Sequence, residues 1–377
     1  MGGPFYRVLQ RMGLFEPRQK TKSVVSWLAL TWLPLALLSI LTGTAWGNKV
    51  RIPLLYDLSI YGRFFLALPL LITAEILIDR FVRQAVSTLN SAGIIGRDDL
   101  PSYHATLKRI ARLRDSGLIE LLLALLACVP YFLFVADYEW VSNPISTWHG
   151  TTSVGLSPAG WWFIFVASPF LRFLMLRWLW RCVLWSYLLG SISRLNLNLL
   201  PTHPDRLGGL SFLLAAQEQF GVLGAALGSV IAGQFANEIV HFGETLKAIK
   251  APTGVFISLS VLIILLPLTF FSPRLFEARR DGLVRYSSVA RSVTTAFDVK
   301  WARRVGSPPE SMIGTQDPSS LIDYISDYDV IRETRVIPIS RRAVLYVASL
   351  ATAPFAVVWL LTSPLDKVIE EILKRLL

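Results

Sequence analysis

Cysteine is nearly missing: two in 377 residues exclude a disulfide framework and any multi-cysteine zinc or iron–sulfur module. Histidine is scarce too, and the four present (His104, His149, His203 and His241) lack metal-ligand spacing. Charge is thin, at 17% of residues against 53% hydrophobic, which leans away from an ordinary soluble domain. The long apolar runs and 12% aromatics are the opposite of a disordered composition. No phosphate-binding loop, dinucleotide glycine fingerprint or HExxH motif occurs, so no enzymatic activity has a motif behind it and no cofactor or metal is expected.

What the chain has instead is apolar runs of spanning length, since a helix needs about 20 mostly apolar residues to cross roughly 30 Å of hydrocarbon. Such runs fall at 24–46, 58–78, 118–136, 160–184, 220–242, 254–271 and 343–361. The first is too long for a secretory signal, and Thr44-Ala45-Trp46 makes a poor cleavage site, so it reads as an uncleaved span. The expected fold is therefore all-α: a polytopic helical membrane protein with about seven spans and a cytoplasmic N-terminus. Residues 1–273 form its membrane domain and 274–342 a small helical cytoplasmic region. Residues 343–377 hold the last span and an amphipathic C-terminal helix.

Lysine and arginine support that orientation. With the N-terminus inside, the cytoplasmic segments carry 26 of them and the exterior segments 7. The same bias accounts for most of the net charge of +11, so a bilayer with an anionic inner leaflet is the expected partner and no nucleic acid is required. The fifth span is the least regular. Gln217-Glu218-Gln219 interrupts it, so either the span starts after the triplet or a continuous helix carries Glu218 at membrane depth. The exterior loop 137–159 and the residues just after it hold Trp140, Trp148, His149, Trp161 and Trp162, and tryptophan there reads as an interfacial belt.

Ionisable residues inside spans are costly and mark candidate sites. Arg63 lies in the outer half of the second span, and Glu75 and Asp79, four apart and on one face, lie toward its inner end. Arg172, Arg177 and Arg181 lie in the fourth span, where the spacing is not that of a voltage sensor. Arg181 is placed to snorkel to the inner headgroups, whereas Arg172 needs an acidic partner or water, with Glu75 and Glu120 at hand. The two readings are an Arg–Glu clamp that fixes helix packing and an anion-attracting ring in an oligomeric pore. Gly221, Gly224, Ala225 and Gly228 form a small-residue stripe on span five that suits close helix packing. The turn Leu200–Leu210 carries His203, Asp205, Arg206, Gly208 and Gly209. Two prolines and two glycines make it a rigid structural turn, with a gate or proton-linked site as the sharper alternative. A weak internal echo links Arg63-Phe64-Phe65-Leu66 and Arg172-Phe173-Leu174-Met175.

Three stretches carry a resemblance: Arg63 through Glu75, the Pro201–Leu210 turn, and Ser319-Ser320-Leu321-Ile322-Asp323 with Asp329-Val330-Ile331-Arg332. Together they resemble a family of uncharacterised bacterial multi-pass inner-membrane proteins with a His-Pro-Asp-x-x-Gly-Gly-Leu turn. The resemblance implies a bacterial inner membrane and brings no activity, substrate or catalytic residue. The functional expectation is an oligomeric ion channel or passive conduit with an anion preference. The alternatives are a scaffold or signalling partner that recruits a cytoplasmic protein at 274–342, and a lipid-active enzyme or carrier using Glu75, Glu218 or His203. Homo-oligomerisation is expected from the small-residue span and from a region 274–342 too small to stand alone, which would pack on itself across subunits or on the basic helix 101–116.

Overall fold

The computed structural model describes residues 20–134, 146–151, 155–303 and 315–362 of the chain. Trp140, the Ser307-Pro308-Pro309 run that reads in the sequence as the end of the first cytoplasmic helix, and the amphipathic stretch after Pro364 lie outside the described residues. Nearly all that is described is helix. Helix α1 (Lys20–Thr42) ends at Gly43, whose φ of 68° a side chain would disfavour. Asp57 then caps the next helix by accepting from the Ser59 N–H at 3.0 Å.

That helix, α2, runs as three continuous pieces: Leu58–Ile60, a π segment Tyr61–Ala67, and Leu68–Ser91. Its cause is Pro69, which has no N–H to give the carbonyl four residues back and whose ring crowds that turn. The chain widens ahead of it, so the Leu68 N–H reaches the Arg63 carbonyl, five residues back. Helices α3 (Leu100–Arg114) and α4 (Gly117–Phe134) follow. Helix α5 repeats the device: Pro158–Trp162, a π segment Phe163–Ala167, then Ser168–Ile192 with Pro169 in its first turn. The two π segments touch, with the Phe64 and Phe163 rings edge to face at 6.4 Å.

Helix α6 (Ser211–Glu218) breaks for two residues before α7 (Gly221–Phe242). The polar triplet sits at that break: α7 starts just after it, and Ser211–Phe242 together still form one stretch of spanning length that includes Glu218. Helix α8 (Leu246–Leu265) passes through a 3-10 stretch, Leu266–Phe271, into α9 (Ser272–Phe297). Helix α10 (Asp317–Arg332) pairs with α9, and α11 (Arg341–Thr352) and α12 (Phe355–Thr362) form a pair bent by 53°. Among the described residues, four stretches are long and apolar enough to cross a membrane: Val24–Thr42, Pro158–Ile192, Ser211–Phe242 and the apolar part of Leu246–Ala302. The bent pair makes a fifth. The chain is a multi-pass helical membrane protein. Helix α4 is apolar over the shorter Gly117–Val129, and α2 carries Arg63, Glu75, Asp79, Arg80 and Arg83.

The connections gather in two groups. At one end Ile52 pairs with Thr147, the Arg51 guanidinium donates to the His241 carbonyl at 3.2 Å, and the Leu58 N–H donates to Asn237 at 3.2 Å. At the other, Ile95 pairs with Leu197, and the Asp99 carboxylate accepts from the Asn196 N–H at 2.7 Å. The α9–α10 hairpin belongs to the second group. It docks within the chain on the Leu200–Leu210 turn, where Gly282 sits against Pro201 and Ile331, whereas the sequence pointed to a second subunit or to the basic helix 101–116. Asp317-Pro318 reads in the sequence as a helix cap followed by a first-turn proline, but Asp317 is itself the first residue of α10 and pairs with Lys300 at 2.5 Å.

Candidate functional site

Side chains four apart on a helix share a face. That geometry aims Arg177 and Arg181 of α5 at Glu75 of α2, and Glu120 in the first turn of α4 completes a buried charge cluster. Arg181 Nη2 lies 2.5 Å from Glu75 Oε1. Arg177 lies 4.0 Å from the same oxygen and 3.8 Å from Glu120 Oε1. Glu75, Glu120 and Arg177 are each at most 9% exposed. Arg181 therefore turns into the bundle, where the sequence had it snorkelling outward; its guanidinium lies 5.0 Å from the Trp178 ring centre. The Trp178 indole N–H donates to the Leu71 carbonyl at 3.0 Å and ties α5 to α2 one turn away.

Glu75 and Arg181 of this cluster floor a cavity of about 520 Å³ between α2, α3 and α5. Its walls are apolar, with Leu184, Trp185 and Leu188 from α5, Ile78 and Val82 from α2, and Phe220 at the α6–α7 break. Helix α3 covers one side with Leu107, Ile110, Ala111 and Arg114, which recur three or four apart. The mouth is charged: Arg83, with a side chain 67% exposed, pairs with Asp79 at 2.8 Å. Gln217 fixes the tryptophan wall. Its side-chain oxygen accepts from the Trp185 indole at 2.7 Å, its amide donates to the Ile264 carbonyl, and Phe220 stacks on Trp185.

The other expected residues fall elsewhere. Arg63 lies in the first π segment with its guanidinium 5.5 Å from the Phe163 ring centre, and Arg172 is half-buried on α5. Glu218 is half-buried at the α6–α7 break. In the turn, the Asp205 carboxylate accepts from the N–H groups of Leu207, Gly209 and Ser211 at 2.8 to 3.1 Å, with His203 Nδ1 2.8 Å away. Burial alone would raise the Asp205 pKa, but these donors outweigh it and hold the carboxyl below its usual range. Arg206, Gly208 and Gly209 all have positive φ, between 57° and 95°. Gly221, Gly224 and Gly228 are covered by α11, where Leu350 and Ala351 lie within van der Waals reach, so the small residues serve packing inside one chain.

No protein-family model, curated protein or solved structure matches the chain. Its site rests on its own geometry, which also holds residues that the sequence reading passed over. Asp57 is buried and accepts from the Trp148 indole at 2.8 Å, and His149 stacks on Trp148 at 3.7 Å. Trp148 is 0% exposed, a core residue and not part of an interfacial belt. Asp57 was findable, because Asp-x-Ser ahead of an apolar run is a helix-start signal. The Gln217–Trp185 pairing had no local signal, since the partners are 32 residues apart.

Proposed function

We propose that this chain is a seven-span bacterial inner-membrane protein that binds an amphiphilic ligand in its cytoplasm-facing cavity, a carrier-class function. The observation that carries the reading is the cavity itself: about 520 Å³, walled by tryptophan, leucine and phenylalanine, with a charged floor and a charged mouth. That volume is ordinary for a small-molecule site, and its lining matches a ligand with an apolar body and a polar end. Two features support seven spans and the orientation. The connections alternate between two groups, and the segments rich in lysine and arginine meet in one of them. The basic group is then the cytoplasmic one, facing the anionic leaflet.

An ion conduit is the second reading, favoured by the buried charges Arg177, Glu120 and Glu75. The cavity lining reaches Glu75 and Arg181 and does not include Arg177, so a path would have to open through that layer. The small-residue stripe of α7, used within one chain, no longer argues for an oligomeric pore.

Reconstituted liposomes separate the readings. Dye-labelled single-chain amphiphiles should cross faster with the protein than without it, and Val82→Trp, which fills the cavity, should abolish at least nine-tenths of the gain. No acceleration would overturn the carrier reading. Discrete currents lost in Arg177→Gln would establish the conduit in its place.

A further inference from the structure

Given that the cavity takes an amphiphile, its rim and cover define what kind. Arg83, Arg114 and Arg181 line it against Glu75 and Asp79, and Arg114 is paired with Asp115 just outside the lining at 2.9 and 3.0 Å, a half-exposed pair that an incoming anion can displace. The Glu75–Arg181 ion pair lies buried in the floor at 2.5 Å. The Asp79–Arg83 pair is different, because an ion pair exposed to this degree contributes little and can exchange partners. A guanidinium at such a rim is suited to a carboxylate or phosphate, which it can grip through two parallel N–H donors.

Helix α3 forms the cover. Its Leu107, Ile110 and Ala111 are half-buried over the cavity, while Lys108 and Arg112 are exposed. Two side-chain hydrogen bonds among the described residues tie it to the bundle: the Tyr103 hydroxyl donates to the Val86 carbonyl at 3.1 Å, and Arg109 donates to the Tyr187 hydroxyl at 3.1 Å. An amphipathic basic helix of this kind lies at the headgroup level of an anionic leaflet.

We infer that the cavity binds an anionic amphiphile, its carboxylate or phosphate between Arg83 and Arg114 at the mouth and its apolar chain along Trp178, Trp185 and Leu188. The ligand comes either from the inner leaflet as a phospholipid or from solution as a free long-chain carboxylate. Both reach the site beneath α3. This inference rests on the amphiphile-binding reading and adds the sign of the headgroup.

Native mass spectrometry of the full chain in a neutral detergent tests it, with phosphatidylglycerol, phosphatidylcholine and palmitate as probes. One anionic ligand should bind per chain at least ten-fold tighter than phosphatidylcholine. Arg83→Glu with Arg114→Glu should erase that preference, while Val82→Trp should remove binding altogether. Tighter phosphatidylglycerol identifies the leaflet as the source, and tighter palmitate identifies a free carboxylate. Equal binding of phosphatidylglycerol and phosphatidylcholine, or a preference untouched by the two arginine reversals, overturns the inference while the amphiphile reading stands. Binding of none of the three overturns the reading beneath it as well. Should Val82→Trp fail to fold, the exposed Arg83→Glu alone decides.

Discussion

His149 lies against Trp148 and Phe163, with Asp57 and Arg63 as its charged neighbours. Burial pushes its pKa down to about 4, assisted by the Arg63 guanidinium and opposed by Asp57. A histidine whose folded pKa lies below its unfolded 6.5 binds fewer protons folded than unfolded between those values, so stability falls as pH drops through that window. The loss should reach about 3 kcal/mol by pH 4. Thermal unfolding in detergent at pH 7.5 and pH 5 should show the decline in the wild type and a much flatter profile in His149→Gln. An unchanged slope in the variant would assign the acid sensitivity elsewhere. At this scale the sequence exposed which charges sit among apolar neighbours, Glu75 and Arg177 included, because a lone ionisable residue in a spanning run stands out by itself. Their pairing stayed hidden, since it depends on how α2 and α5 cross. Trp148 misled for the same reason: an exterior loop rich in tryptophan looks interfacial until the loop folds inward onto Asp57.

Between helices, α7 is the hub, and glycine decides how near its neighbours come. A Cβ on Gly62 of α2 would collide with the Ser229 carbonyl oxygen, and one on Gly228 would meet the Ala351 carbonyl oxygen at 2.9 Å. Backbone atoms cannot swing aside as a side-chain end can, so Gly62→Ala and Gly228→Ala should each cost about 1–3 kcal/mol. Gly254, in α8, has nothing within 4 Å of such a Cβ. Gly254→Ala should therefore gain a few tenths to about 1 kcal/mol from helix propensity. Chemical unfolding of the three variants in one detergent reads this directly; equal effects at all three sites would mean that propensity and not contact governs them. The apolar helices were legible because run length is a one-dimensional property. The π segments were not. Pro69 and Pro169 are plain in the sequence, but whether a helix kinks, stops or widens at a proline depends on the packing of Phe64, Phe163 and Ala167 around it.

Over the whole molecule, the Leu200–Leu210 turn joins the basic end to the cavity wall. On one side Arg206 pairs with Glu333 at 2.8 Å, its carbonyl accepts from the Arg335 N–H at 2.9 Å, and the Pro201 carbonyl accepts from the Thr334 hydroxyl. On the other side Asp205 caps Ser211, where α6 begins, and α6 carries Gln217 to Trp185. Asp205 is thus the residue on which both halves of the connection depend. The sequence reading marked this turn as rigid from its prolines and glycines, and the glycine φ values agree, but the hairpin's docking on it is a long-range pairing that no local pattern encodes. Asp205→Ala leaves the N–H groups of Leu207, Gly209 and Ser211 without their acceptor, only the first of them on a buried residue, and should cost about 1–3 kcal/mol locally, since hydrogen bonds to charged groups are worth about 1.5–3 kcal/mol each and rehydration of the exposed ones offsets much of the loss. His203→Ala, at a side chain 40% exposed, should cost under about 1 kcal/mol. Limited trypsin digestion of the full chain in detergent makes the distinction local: in Asp205→Ala, cleavage after Arg279, Arg280 and Arg285 should speed up several-fold as the hairpin loosens, while sites outside that end keep their wild-type rates. Cleavage that accelerates everywhere would make Asp205 a global stabiliser instead of the hinge between hairpin and cavity, and no acceleration would show that Arg206 and Thr334 hold the hairpin without it.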